Sequence, residues 1–201
     1  MGLRSAFAGG VTGLAEGLRE GRSGLQKPQA VDGASFGIPL AGEVRDPVGD
    51  YPGLEGDRKA WLLMEAFGDL QALGELPPVQ GCWLGTGLSS VIAEELEEDV
   101  IPFIRGEEID RASLYRAIDA NRLAPRRHLP ERALNALADK AGVTGPRYTS
   151  FSACAAGAQA IAEAFRAIRR GDVDRALCGG QDAMIHPLGV LSFSLLSLIH
   201  I

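Results

Sequence analysis

The stretch RYTSFSACAAGAQAIAEAFRAIRRGDVDRALCGG, residues 147–180, decides the fold. It opens on β-branched and aromatic residues, RYTSFSA over 147–153, which suit a strand. It then enters a run of Ala and Gly around Cys154 and continues as an alanine-rich helix over 154–170. Gly171 closes that helix, as glycine commonly does at a helix end. VDRALCGG, 173–180, is a second short apolar run with a glycine exit and reads as a buried strand. The helix carries Ile161, Phe165 and Ile168 among Ala158 and Ala162, so those residues are expected to form a buried face.

The same alternation extends outward. PERALNALADKAG, from Pro130, predicts a helix with Pro at its start and Gly142 at its end. PVQGCWLG, 78–85, predicts another buried strand, and the following Gly85, Thr86 and Gly87 form a sheet-exit turn rather than a phosphate loop, because no G-x-x-x-x-G-K-[ST] is present. DRKAWLLMEAFGDLQAL, 57–73, predicts a helix capped by Asp57, with Trp61, Met64, Leu70 and Leu73 supplying its buried face. VTGLAEGLREG, 11–21, predicts a shorter amphipathic helix. Residues 22–56 are rich in Gly and Pro and read as irregular surface chain. EELEED reads as a solvated face, and residues 100–130 carry no clear pattern. Helices alternating with short apolar strands predict an α/β architecture with a mostly parallel sheet.

Composition narrows the function. The chain is 46% hydrophobic and 23% charged, as in a globular protein, with a net charge of −6. No basic stripe suggests nucleic acid. No apolar run approaches the roughly 20 residues of a membrane span, and MGLRSAFAGG lacks the apolar centre of a signal peptide. Cys82, Cys154 and Cys178 form no CxxC pair, so metal and disulfide readings are weak and a reducing cytoplasm is the expected setting. Cys82 and Cys178 lie inside apolar strands and read as inert core. No cofactor motif is present.

Cys154 sits where a strand becomes a helix. A helix N-terminus carries unpaired N–H groups and about half a positive charge. Both favour a thiolate, and the same N–H groups can face an oxyanion formed when a thioester carbonyl is attacked. Ala153, Ala155, Ala156, Gly157 and Ala158 leave room for an acyl chain to approach the sulfur. On residue type alone the alternative stays open, that Cys154 is a small core residue at a tight helix crossing.

Residues 142–193 resemble the N-terminal half of the β-ketoacyl-acyl carrier protein synthases, the elongation-type condensing enzymes of fatty-acid and polyketide systems. The resemblance rests on GVTGP, the SAC-x-x-G elbow, RRGDVD, the strand ending in Gly179-Gly180, and PLG, in that order. GLRSAFAGGVTGLAEGLREGRSGLQ, LAGEVRD and GCWLGTGLSS resemble further family segments more loosely; residues 101–130 depart from the pattern.

The resemblance implies a thiolase-like fold, of which residues 1–195 would be the N-terminal half with an incomplete first strand. Residues 196–201 read as a non-native tail. Set against the family pattern, the chain is expected to be a fragment cut at both ends and, without the second half's histidines, inactive alone. It implies that Cys154 accepts an acyl chain from acyl carrier protein, and that malonyl-carrier protein is decarboxylated to extend it by two carbons. It implies a homodimer, with residues 148–152 near the dimer interface, and carrier-protein docking by Arg58 and Lys59. Two histidines and a lysine would come from the second half of the fold. His128, His186 and His200 read as histidines outside the site, and Asp182 as structural. Two other readings remain: a non-catalytic ketosynthase-like partner, and another thiolase-fold acyltransferase.

Overall fold

A computed structural model describes residues 1–46, 48–87, 97, 99–119 and 129–196. Three parallel strands form the sheet at its centre, in the order β4–β1–β5: β1 is Gly81–Thr86, β4 is Arg147–Phe151 and β5 is Ala176–Gln181. The central strand pairs Leu84 with Thr149 on one side and Trp83 with Cys178 on the other. Every residue of β1 is buried, which is why its sequence shows a continuous apolar run rather than alternation.

Helices cover both faces. On one lie α2, Arg58–Ala72, and α4, Arg132–Lys140. Met64 and Phe67 of α2 and Leu134, Leu137 and Ala138 of α4 pack there with Cys82 and Leu84. Burying a leucine such as Leu84 or Leu134 stabilises the fold by roughly 1.5–3 kcal/mol. The Asp57 side chain accepts a hydrogen bond from Ala60 N at 3.0 Å and caps α2. Leu73, expected on the buried face, lies just beyond the helix and is exposed.

The opposite face carries α5, Ala156–Arg170, which closes at Gly171 in the left-handed conformation with φ 78°. Its contact with the sheet differs from expectation. The residues turned inward are Ala156, against Gly85, and Ala160, Ala164 and Ala167, packed on Trp83 and Val173. Ile161, Phe165 and Ile168 are 53%, 59% and 43% exposed. The reason is the closeness of helix and sheet. A Cβ on Gly85 would lie 2.2 Å from the Ala156 carbonyl carbon, and one on Gly180 would lie 3.0 Å from Gly157 Cα. At that spacing only alanine fits between the layers.

The remaining elements are peripheral. The helix expected over 11–21 forms as α1, Gly10–Arg19, but Leu18 is exposed, and Gly17 lies against the Phe7 ring. Arg4 fastens this N-terminal segment to α2 through Asp69 at 2.7 Å, with Glu65 and Asp46 each at 3.4 Å. Residues without a clear sequence pattern form a two-stranded hairpin, β2 Ile104–Arg105 with β3 Glu108–Ile109, and then α3, Arg111–Asp119. The chain ends its described course in α6, Pro187–Leu195. Most of the acidic stretch 94–99, His128, and residues 197–201 of the expected tail, His200 among them, lie outside the described residues. Among the described residues no helix is long and apolar enough to cross a membrane.

Candidate functional site

β4 ends at Phe151, and the chain turns sharply before α5. Ala153 takes φ +48°, the sole positive φ at a non-glycine residue among the described residues. The left-handed region is disfavoured for any residue with a Cβ, so a position held there in a folded protein is over-determined by its surroundings. A single 3₁₀ turn, Ala153–Ala155, then leads into the α-helix, with Ala155 N donating to Ser152 O at 3.1 Å. Cys154 is the middle residue of this turn. The helix expected from Cys154 therefore begins, as an α-helix, at Ala156.

The turn lifts Cys154 clear of the core. Its thiol is free and the residue is exposed. It borders a pocket of about 290 Å³ at the C-terminal edge of the sheet, shared with Gly85, Gly87, Ala153, Gly157 and Asp182. Glycines at the strand ends let the α5 start and Asp182 approach closely around it. In open parallel α/β sheets this edge is the general place for a ligand. No side chain caps the N-terminus of α5, and its first turn has no acidic residue. Its leading N–H groups therefore remain for backbone, water or an oxygen of a bound group. Arg169 and Arg170 occupy the other end, where the helix dipole favours cations.

The other candidates fall elsewhere. Cys82 is fully buried, and burial pushes its thiol up to about 12, so it is inert at neutral pH. Cys178, read as core, is exposed on β5; it occupies an outer strand of the three, not the central one. His186 does not border the Cys154 pocket. Its Nδ1 accepts from Gly189 N at 3.3 Å and caps α6. Lys59 is only 3% exposed, and the Arg58 guanidinium donates to the Val44 carbonyl. Lys59 is thus buried, while Arg58 is half-buried and keeps part of its side chain at the surface. Among the described residues no group of His, Cys, Asp and Glu is arranged to hold a metal ion.

Two features escaped the sequence reading. Asp182 reaches the pocket itself: a Cβ on Gly87 would lie 2.4 Å from its Oδ2. Ser150, Ser152 and Gln159 form a hydrogen-bonded cluster beside the elbow. The pairing of Gly87 with Asp182 had a trace in the two glycine-rich strand ends, but no one-dimensional pattern joins Gln159 to Ser150.

Known proteins share this fold. A family model described as "Beta-ketoacyl synthase, N-terminal domain" matches residues 80–200, more than half of the chain. The 3-oxoacyl-[acyl-carrier-protein] synthase 2 of Staphylococcus aureus is 24% identical over 96% of this chain and 48% of its own length. The protein of the same name from a Synechocystis species is 26% identical over 89% and 43%. The chain thus spans about half the length of the curated relatives it matches. Among solved structures, the ishigamide ketosynthase/chain length factor superposes with a TM-score of 0.70 at 25% identity, covering 97% of this chain and 49% of that one. A type II polyketide ketosynthase in complex with its acyl-carrier protein gives 0.67 at 23% identity, over 97% and 47%. The parallel sheet between helical layers is that of the N-terminal half of a thiolase-like fold, and the chain belongs to the β-ketoacyl synthase family, whose N-terminal domain it carries.

Proposed function

We propose that Cys154 is the acyl-accepting nucleophile of a decarboxylative condensing enzyme acting in fatty-acid or polyketide synthesis. The observation that carries this reading is the exposed thiol on a strained elbow, beside a pocket at the leading end of an uncapped helix. The thiolate attacks the carbonyl of an acyl thioester. The carrier thiol leaves, and the acyl chain becomes bonded to Sγ. The oxyanion formed on the way faces the N–H groups at the start of α5, where hydrogen bonds to developing charge have most effect. Loss of carbon dioxide from a malonyl thioester supplies a carbanion, which attacks the Cys154 thioester. The thiolate departs, and a 3-oxoacyl chain two carbons longer remains on the carrier.

The family resemblance assigns the decarboxylation to histidines beyond the N-terminal domain, so the whole reaction requires a second half of the fold. Acyl carrier protein is the proposed partner and a homodimer the proposed assembly. A second reading, a ketosynthase-shaped partner without catalysis, is favoured by the solved ketosynthase/chain length factor, but an exposed thiol in a pocket speaks for the first. The test is product formation by the full-length gene product with acyl- and malonyl-carrier protein. Release of carbon dioxide coupled to 3-oxoacyl product, abolished by Cys154→Ala, supports the nucleophile. Equal product from the alanine variant, or none from the parent, would sink it.

A further inference from the structure

The elbow that carries Cys154 is fastened by side chains that take no part in the reaction just described. Ser152 Oγ donates to Gln159 Oε1 at 2.6 Å, and Ser150 Oγ donates to the same oxygen at 2.8 Å. The two hydroxyls are 3.0 Å apart. Ser150 is buried at the end of β4, Ser152 begins the turn and Gln159 lies in the second turn of α5. A carboxamide oxygen has two lone pairs, and each serine has one proton. Gln159 can therefore receive both hydroxyl protons at once. The hydrogen bonds close a loop over residues 152–159, and Ala153 and Cys154 lie inside it.

That loop contains the one feature in need of restraint. Ala153 holds φ +48° although its Cβ disfavours it. The local backbone restraint is two consecutive 3₁₀ bonds, from Ala155 N to Ser152 O at 3.1 Å and from Ala156 N to Ala153 O. The sheet contact at Gly85 anchors Ala156 at the start of the helix, and both backbone bonds lie within the turn and do not reach β4. Gln159 adds side-chain bonds to these, tying the strand end at Ser150 and the turn at Ser152 to the helix.

We infer that Gln159 is a positioning residue: through Ser150 and Ser152 it holds the Ala153 elbow in its left-handed conformation and so keeps Cys154 at the pocket before α5. The inference rests on the reading of Cys154 as acyl acceptor for its functional consequence, and on the elbow's geometry for its physical one. Each is measured separately, in the full-length gene product.

The first readout is amide hydrogen exchange at Ala155, whose bond to Ser152 spans the elbow. The second is the rate of acyl uptake by Cys154 from an acyl thioester. Gln159→Leu keeps the size of the side chain and removes the acceptor. It is expected to raise Ala155 exchange about tenfold, the scale of one hydrogen bond's net contribution, and to slow acyl uptake by a similar factor. Alkylation by iodoacetamide, which needs only an accessible sulfur, should stay within about twofold. Adding Ala153→Gly removes the penalty for positive φ and should recover most of both losses, which a general loss of packing would not allow.

Parent-like exchange and uptake in Gln159→Leu would overturn the inference while leaving the acyl-acceptor reading intact. So would a double variant as impaired as the single one. A parent that takes up no acyl chain, yet shows the exchange change, would overturn the functional reading and Gln159's role in positioning with it.

Discussion

The closeness of α5 to the sheet makes a sharp prediction at two glycines, with a third in α2 for comparison. A Cβ at Gly85 would meet backbone atoms that cannot swing aside: the Ala156 carbonyl carbon at 2.2 Å, its oxygen at 2.4 Å and Gly157 N at 2.4 Å. Gly85→Ala therefore forces the helix off the sheet and opens the alanine layer around Ala160 and Ala164. The cost belongs at the upper end of overpacking, about 3 kcal/mol. Against a total stability of roughly 5–15 kcal/mol this is a large fraction, and it lowers Tm by about 6–12 °C in a domain of this size. Gly180→Ala places its Cβ 3.0 Å from Gly157 Cα, a tight contact that small shifts relieve, at about 1 kcal/mol. Gly68, exposed within α2, has nothing within 4 Å of its added Cβ. Gly68→Ala should stabilise by about 0.8–1 kcal/mol through helix propensity alone. Urea unfolding of the full-length gene product and its variants measures all three, provided the m-value is unchanged. The expected order of midpoints is Gly68→Ala, parent, Gly180→Ala, Gly85→Ala. A Gly85→Ala midpoint equal to the parent's would refute the account of how the helix meets the sheet.

Other outcomes follow from the same structure. Asp57→Ala removes the cap on α2 and should cost about 1 kcal/mol in the same urea assay; no change would mean the bond to Ala60 contributes nothing net. In the native protein, mass spectrometry after maleimide treatment should find Cys154 modified and Cys82 protected until denaturation, since Cys82 is buried and its thiol is raised to about 12. Native labelling of Cys82 would contradict the core packing. Glu43 is governed by opposing effects: burial raises its pKa, but the N–H groups of Ala30 and Gln29 and the Arg45 side chain outweigh this and hold it below its ordinary value of 4.5. A carboxyl with a lowered folded pKa contributes stability that is present above its unfolded pKa and lost as pH falls through the folded value. Glu43→Gln should thus flatten the decline of unfolding free energy below about pH 4.5. An unchanged acid limb would show that the charge on Glu43 is immaterial.

Much of this architecture was legible in residues 147–180. Strand, helix and strand form where the pattern puts them, because β-branched residues, alanine and the closing Gly171 each impose a local conformation. Which side of the helix meets the sheet was not legible. The helix carries two stripes, Ala156–Ala160–Ala164–Ala167 and Ile161–Phe165–Ile168, and hydrophobicity favours the wrong one. The deciding fact is the separation between layers, set by glycines on strands distant in sequence. The same limitation applies to Cys178, which lies in an apolar run but on an outer strand of the sheet, and to Lys59, whose burial at the start of α2 depends on neighbours remote in the chain. At the site, Cys154 stood out by its setting. Its elbow geometry, the approach of Asp182 and the Gln159 cluster required the fold, since each is a meeting of separate elements.

The most direct test of the central claim is peptide mapping of the full-length gene product after incubation with an acyl-carrier-protein thioester and no malonyl donor. The account predicts one added acyl mass, confined to the peptide containing Cys154, removed by hydroxylamine and absent from the Cys154→Ser variant. An acyl group found on another residue, or an unmodified Cys154 peptide from protein that completes condensation, would contradict it.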